Sequence, residues 1–584
     1  MRMRAGWTET GGRMLSSRWG RGLLAVLVGA LPAFTFPEPS LWWLAYGALV
    51  PWMLLVRTAP RPRRAALDGW LGGLGFMLAV HHWLFPNLHV FTVVLAALLG
   101  LLWAPWGWLV HRLLEGVPSA PRAVAALALV PSGWLTVELV RSWEGLGGPW
   151  GLLGASQWQV APALRVASLG GVWLVTLLVV GVNVALVLLL TAGPWRRRAV
   201  EEAGAGAVAG TVAAPGAGAS RGVGAAPGPS APPGTVRPVA VAVAALAAGA
   251  AGVGAVWLWA PPPEPTGRLR VAVVQPGVLG GPEGAELRFT RGEELTRSLA
   301  GRDVDLVVWG ESSVGADLTA RPDLTARLAA LSREVGAEIL VNVDARRADQ
   351  PGIYKSSILV GPDGPTGERY DKMRLVPFGE YVPARSLLGW ATSVGEAAEE
   401  DRRRGARQVV MTTGTETAAD ARLGPLVCFE TAFPDMSRRL VRDGAQVLVA
   451  QSATSTFQQS WAPEQHASLA ALRAAESGRP FVHATLTGVS AVYGPDGARI
   501  GVPLGTDRSA AEVYEVPLAT AETVYVRLGD WPVWAALALL AGAAALSGVR
   551  ALTGGPRLRR RPPAPGTPVR RARTAHGSAG RHGR

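Results

Sequence analysis

Long apolar runs occupy the first 260 residues. Segments 22–36, 41–56, 67–85, 91–111, 123–140, 166–190 and 239–260 are nearly free of charge, and an eighth, 531–549, stands near the C-terminus. Runs of this composition predict membrane-spanning helices. The clearest, 166–190, carries no charged residue at all. The first is short, and with Arg13, Arg18 and Arg21 ahead of it a cleaved signal peptide is the alternative.

From residue 269 the pattern shortens. β-Branched runs at 269–275, 305–309, 339–343, 357–360, 423–428, 447–450 and 481–485 alternate with amphipathic stretches such as 322–335 and 464–477. The second of these is followed by Gly478, in the position of a helix C-cap. Strands alternating with helices predict one layered α/β domain over 268–526, held between the seventh and eighth spans. Residues 385–408 break the pattern. They are charged and contain Gly, with Leu387, Leu388 and Trp390 near the start, and they read as a lid or membrane-dipping flap that controls substrate access. Residues 191–238 are rich in Ala, Gly and Pro and predict a cytoplasmic linker without a fold. Residues 1–21 and 550–584 read as basic cytoplasmic tails.

At 584 residues the chain is long enough for several soluble domains, but its 49% hydrophobic content collects in the spans. The formal net charge of +14 is unevenly placed. Arginines cluster before the first segment, in the second-to-third connection (Arg57, Arg61, Arg63, Arg64), in the fourth-to-fifth (Arg112, Arg122), in the sixth-to-seventh (Arg196, Arg197, Arg198) and in the C-terminal tail. Intervening connections such as 35–40 and 86–90 have none. That alternation predicts both termini in the cytoplasm and residues 261–530 on the outer face of a cell membrane. It also argues against nucleic acid as a partner, because the basic clusters flank spans and no aromatic-lined basic module accompanies them. One outward loop, 138–157, mixes Trp, Pro and Gly with Glu138, Arg141 and Glu144. It reads either as an interfacial aromatic belt or as a docking element beneath the outer domain.

Residue scarcity points to the chemistry. The single cysteine, Cys428, excludes an intramolecular disulfide and a multi-cysteine zinc site, and neither a metal nor a cofactor is expected. Cys428 ends an apolar run just before a predicted helix from about Asp435, where backbone N–H groups could stabilise a thiolate or an oxyanion. A buried, inert thiol is the alternative. Its base could be a histidine, and His466 and His483 are the only ones in this domain, although each also fits a packing role. Carboxylates are better placed: Glu311 follows the 305–309 strand, and Glu380 and Glu430 stand near Lys372 and Cys428. Lysine occurs only at 355 and 372 among 57 basic residues, which raises the question of whether an amine able to lose its proton is needed at either position.

Taken together, Glu311 after a strand, Lys372 in the run KMRLVPFGEYVP and Cys428 in CFE resemble the ordered Glu, Lys, Cys set of the nitrilase superfamily. The LVPFGEYVP run among eight spans is similar to its membrane-embedded branch, the apolipoprotein N-acyltransferases. So are Gln275-Pro276, the 138–157 loop and the stretch EQHASLAALRAAESGRPFVHAT. The resemblance implies an αββα catalytic domain on the membrane and ping-pong acyl transfer. Glu311 would be general base, Cys428 the nucleophile and Lys372 the oxyanion stabiliser, with Glu380 and Glu430 as accessory acids. The implied partners are a phospholipid acyl donor, a diacylglyceryl apolipoprotein acceptor and the lipid bilayer. A membrane-tethered amidase-type hydrolase and a weakly active scaffold for a partner enzyme remain open. The chain departs from the family pattern at Gly310, at 451–457 (QSATSTF) and at 486–488 (LTG), which touches the substrate-contacting surround.

Overall fold

The computed structural model describes residues 17–192, 236–279, 283–383, 385–388, 400–414 and 420–553. It divides into two units, Met1–Leu540 and Ala541–Arg584; the second carries the end of the last helix, to Thr553. The expected linker at 191–238 and both tails lie almost wholly outside the described residues.

The apolar segments become helices α1 (Arg18–Ala30), α2 (Val50–Arg57), α3 (Pro62–Val80), α4 (Val90–Gly100), α5 (Trp103–Leu114), α6 (Ala120–Arg141), α7 (Ala161–Ala192), α8 (Val236–Trp259) and, after the α/β domain, α14 (Trp531–Thr553). Among the described residues four are long and apolar enough to cross a membrane, α6, α7, α8 and α14, and the pair α4 and α5, bent by 43°, makes a fifth candidate. The first three segments differ from the expectation of continuous spans. The first passes from α1 into a 3₁₀ turn at Leu31–Thr35, and the second is a 3₁₀ turn at Trp42–Tyr46 followed by the eight-residue α2. The third, α3, buries Asp68, which pairs with Arg21 at 2.7 Å and Arg64 at 2.8 Å. An aromatic cluster of Trp52, Phe76, Trp103, Trp106 and Trp134, packed edge to face, fills the centre of this bundle.

Within α7 the helix breaks at Gly170–Gly171. Gly171 has φ +65°, and a Cβ there would lie 2.7 Å from the Tyr525 ring. The freed Val172 N–H donates to Glu476 Oε1 at 2.6 Å, so a residue of the α/β domain caps the second half of α7.

The α/β domain is a sandwich of two six-stranded sheets, ordered β12-β1-β2-β3-β4-β5 and β11-β10-β9-β8-β7-β6. In chain order the strands are β1 Gly267–Gln275, β2 Leu306–Trp309, β3 Glu338–Arg346, β4 Ile353–Gly361, β5 Gly364–Asp371, β6 Met411–Thr412, β7 Arg422–Val427, β8 Val447–Ser452, β9 Phe481–Thr485, β10 Ser490–Tyr493, β11 Arg499–Leu504 and β12 Ala510–Leu518. Alternation along β1 explains the layering. Val271 and Val273 point into the core between the sheets with Leu423, Val427 and Val449, while Ala272 and Val274 face helices α9 (Gly284–Arg297) and α10 (Pro322–Val335). Helices α11 (Pro434–Arg442) and α12 (Ala462–Ser477) lie on the second sheet, packed with the membrane bundle in one apolar core. A short helix α13 (Val524–Leu528) leads into α14. Gly478 ends α12 in the left-handed conformation, as its position implied.

Candidate active site

Strands β1, β2 and β3 run parallel in one sheet, as do β7, β8 and β9 in the other. Their carboxyl ends carry the candidate residues. Glu311 lies just beyond β2, its N–H donating to Ser452 O across the sandwich at 3.1 Å. Lys372 follows β5, and Cys428 opens a 3₁₀ turn, Cys428–Ala432, directly after β7. Cys428 has φ +50°, an uncommon conformation for a side chain with a Cβ, and it turns the residue out of the strand line. The turn separates it from α11, so the thiol is not presented at a helix N-terminus.

Glu311 and Lys372 are buried, and the Lys372 ammonium donates to Glu311 Oε1 at 3.0 Å and to Glu380 Oε1 at 2.7 Å. Glu380 also accepts from the Val376 N–H at 2.8 Å, which closes the turn that carries it. Glu430 is fully buried. It accepts from Tyr370 Oη at 2.7 Å, Met373 N at 2.7 Å, Arg374 N at 3.0 Å and Val427 N at 2.8 Å. It therefore ties the loop of Lys372 to the turn of Cys428.

The charged groups set one another's protonation. Burial pushes the Glu311 carboxyl up, but ammonium groups in contact outweigh it and hold it well below the usual carboxylate range. Burial pushes the Lys372 ammonium down, and Glu311 with Glu380 outweigh that, so it keeps its proton. The lysine does not serve as an amine that loses its proton. The Cys428 thiol is pushed up to about 12, first by burial and then by Glu311. At rest the proton therefore stays on sulfur, which leaves oxyanion stabilisation, the other role expected of the nearby backbone N–H groups.

The histidines do not supply the base. His466 Nε2 stands 3.0 Å from the backbone carbonyl of Cys428, a contact that takes its N–H, while the Cys428 thiol donates to Ala453 O at 3.8 Å. Burial lowers its pKa to about 4, so it is neutral. His483 packs edge to face on it at 4.7 Å, with neither ring nitrogen hydrogen-bonded.

The sequence singled out Lys355 by its scarcity but gave it no place in the site. Lys355, on β4, donates to Glu311 Oε1 at 2.8 Å and lies 3.0 Å from Glu380 Oε1. Both lysines of the chain thus meet at one site, and their scarcity was the available signal. Of the access-loop residues, Trp390 and the side chains of Leu387 and Leu388 lie outside the described residues; Arg385–Leu388 forms one helical turn.

Cys428 also lines a mainly apolar cavity of about 210 Å³, together with Met77, Leu88, Leu95 and Leu99 from the helical half and Phe429 and Phe457 from the α/β domain. The 138–157 loop closes part of it by docking. Trp150 donates to Gln465 Oε1 at 2.7 Å, Gly148 lies against the Phe429 and Phe433 rings, and Glu144 pairs with Arg404 and Arg374. Glu138, in the bundle, accepts from Trp134, Leu153 and Thr176 and holds the loop's inner end.

Departures from the family pattern meet at the same place. A Cβ on Gly310 would lie 1.9 Å from Leu486 N. Leu486 N in turn donates to Ser452 O at 2.8 Å, and Thr454 N donates to Thr487 O at 2.9 Å. Positions 310, 451–457 and 486–488 form one hydrogen-bonded patch behind Glu311.

Sequence comparison bears directly on this arrangement. Residues 270–525 match the Carbon-nitrogen hydrolase family, and residues 28–185 match the Apolipoprotein N-acyltransferase N-terminal domain. The chain belongs to the apolipoprotein N-acyltransferase family. It is 29% identical over 544 residues to the apolipoprotein N-acyltransferase of Geobacter metallireducens, covering 90% of this chain and 95% of that one. It is 28% identical over 547 residues to that of Azotobacter vinelandii, with the same coverage. Among solved structures it is similar to a CN-hydrolase superfamily protein from Xanthomonas campestris, at 18% identity and a TM-score of 0.33, covering 50% of this chain and 96% of that one.

Proposed function

We propose that the chain moves a fatty acyl group from a membrane phospholipid, through a thioester on Cys428, to the N-terminal amine of a diacylglyceryl-cysteine apolipoprotein. The observation that carries this reading is the position of the thiol. It faces the carboxylate and ammonium cluster on one side and an apolar cavity continuous with the membrane helices on the other.

In the first half-reaction Cys428 Sγ attacks the ester carbonyl carbon. Its proton passes to Glu311 as the S–C bond forms, because a thiol held near 12 does not ionise beforehand. Negative charge then leaves Glu311 and appears on the carbonyl oxygen, and a Lys372 N–H follows it from one to the other. Collapse expels the lysophospholipid alkoxide, which takes the proton back from Glu311. In the second half the acceptor amine attacks the thioester, gives its proton to Glu311 and releases Cys428, which recovers a proton as the thiol. The apolar cavity holds the acyl chain and limits the access of water to the thioester.

In the membrane the eight apolar segments act as spans, the first two of them interrupted by 3₁₀ turns. Arg21, Arg57 and Arg122 bond to backbone carbonyls of Leu55, Leu114, Gly116, Leu113 and Glu115, which gathers the arginines at one end of the helices and supports placing that end in the cytoplasm. The sandwich then lies outside, with residues 268–526 as catalytic domain and the 385–408 segment as the access flap.

Purified protein incubated with labelled phospholipid should gain one acyl mass on Cys428, and a diacylglyceryl lipopeptide should discharge it as the N-acyl product. Cys428→Ala should abolish the adduct, and Glu311→Gln should slow its formation by ~10²–10⁴. Discharge only to free fatty acid would identify a hydrolase, and no adduct would leave the scaffold.

A further inference from the structure

Lys355 has no role in the steps above, yet it occupies the centre of the charge cluster. It sits on β4 opposite Asp344 of β3, with its ammonium 2.8 Å from Glu311 Oε1, 3.0 Å from Glu380 Oε1 and 3.7 Å from Asp344 Oδ2. Lys372 reaches the same two glutamate oxygens at 3.0 and 2.7 Å. Each of those oxygens is therefore shared between both ammonium groups, in a closed alternation of two anions and two cations. The Lys372 N–H also donates to Lys355 O at 2.8 Å, which fixes the two lysines side by side.

Building on the acyl-transfer reading, we infer that Lys355 is a positioning residue that balances Glu311 and Glu380, so that Lys372 can turn one N–H from Glu311 to the developing oxyanion. The charge count carries the argument. With both lysines protonated and both glutamates ionised, the four-residue cluster is neutral. It stays neutral with the oxyanion included once Glu311 has taken the thiol proton. Without Lys355 two carboxylates would share one ammonium in a buried site, and the oxyanion would form beside an excess negative charge. The remaining charged groups do not replace it. Asp344, on β3, already receives Arg402 at 3.3 Å and the Ser312 hydroxyl at 3.2 Å, and Arg288 of α9 acts on Asp344. His466 of α12 is neutral, and Cys428 beyond β7 carries its proton. Lys355 meets the site through its contacts with Glu311 and Glu380, so it acts through the glutamates.

The test uses the full-length protein in phospholipid vesicles, with thioester formation on Cys428 followed by intact mass across pH and phospholipid concentration, and an unfolding midpoint for each variant. An ammonium in contact lowers a carboxylate by about 1–3 pH units. Lys355→Met should therefore raise the acid limb of kcat/KM by about 1–3 units, with KM for phospholipid little changed, and Lys355→Arg should restore the wild-type limb. The double variant Lys355→Met with Glu380→Gln removes one charge of each sign and should return the limb toward wild type. It decides the matter if the single variant does not fold. An acid limb unmoved in a folded Lys355→Met protein, a Lys355→Arg profile like that of Lys355→Met, or a double variant whose limb stays raised would each overturn the role. Wild-type protein that forms no thioester would instead sink the acyl-transfer reading itself.

Discussion

Glu430→Gln separates a packing carboxyl from one that positions the site. Four donors converge on Glu430: the Tyr370 hydroxyl and the Met373 and Arg374 N–H groups on one oxygen, and the Val427 N–H on the other, at 2.7–3.0 Å. Burial pushes its carboxyl up, against those bonds. Glutamine keeps the shape but has one acceptor oxygen. Its better orientation satisfies the three donors and sets its NH₂ against the Val427 N–H. One buried donor left without a partner costs about 1–3 kcal/mol. Val427 precedes the nucleophile and Met373 follows Lys372, so relaxation of this clash moves both reacting groups. A displacement on the order of 1 Å costs roughly 10²-fold in rate. Thioester formation at saturating phospholipid should therefore fall by ~10–10² with KM little changed, alongside a lower unfolding midpoint. Rates and midpoint both matching wild type would mean that the carboxyl is protonated and interchangeable with an amide, and the positioning argument would fail.

Two further outcomes follow from the same geometry. Gly310→Ala sets a methyl group 1.9 Å from Leu486 N, so the segment behind Glu311 must shift. A loss of about 1–3 kcal/mol is expected in unfolding experiments, and an unchanged midpoint would show that the two segments are less closely packed than described. For Cys428, a thiol held near 12 predicts that iodoacetamide labelling rises about tenfold per pH unit from 7 to 9; a plateau within that range would indicate a thiolate already present at rest.

Much of the architecture is legible along the chain because it depends on local periodicity. Seven strands, the helices at 322–335 and 464–477 and the Gly478 cap all follow from short-range pattern, and the structure has each of them within a few residues. Strands β5, β6, β10, β11 and β12 were not anticipated. β5 carries many polar residues, β6 and β10 are short, and β11 and the first half of β12 are largely unburied, so the signal that marks a buried strand is weak. Spans were harder to count than to notice. Hydrophobicity reports transfer into an apolar environment, and an interrupted helix packed inside a bundle satisfies it as well as a continuous one facing lipid.

The candidate site divides along the same line. Sequence alone determined that a single cysteine, a glutamate after a strand and a lysine in an unusual run stand in a fixed order. It also showed that lysine is withheld from the rest of the chain. Only the tertiary structure decided which partners those groups have. Glu311 and Lys355 are 44 residues apart and Glu430 and Tyr370 are 60 apart, joined by sheet register and by the packing of two sheets. The histidines close in sequence to the α12 motif turn to a carbonyl and to each other instead of the thiol. Proton location depends on burial and on every charge within a few ångströms, and those distances exist only once the chain has folded.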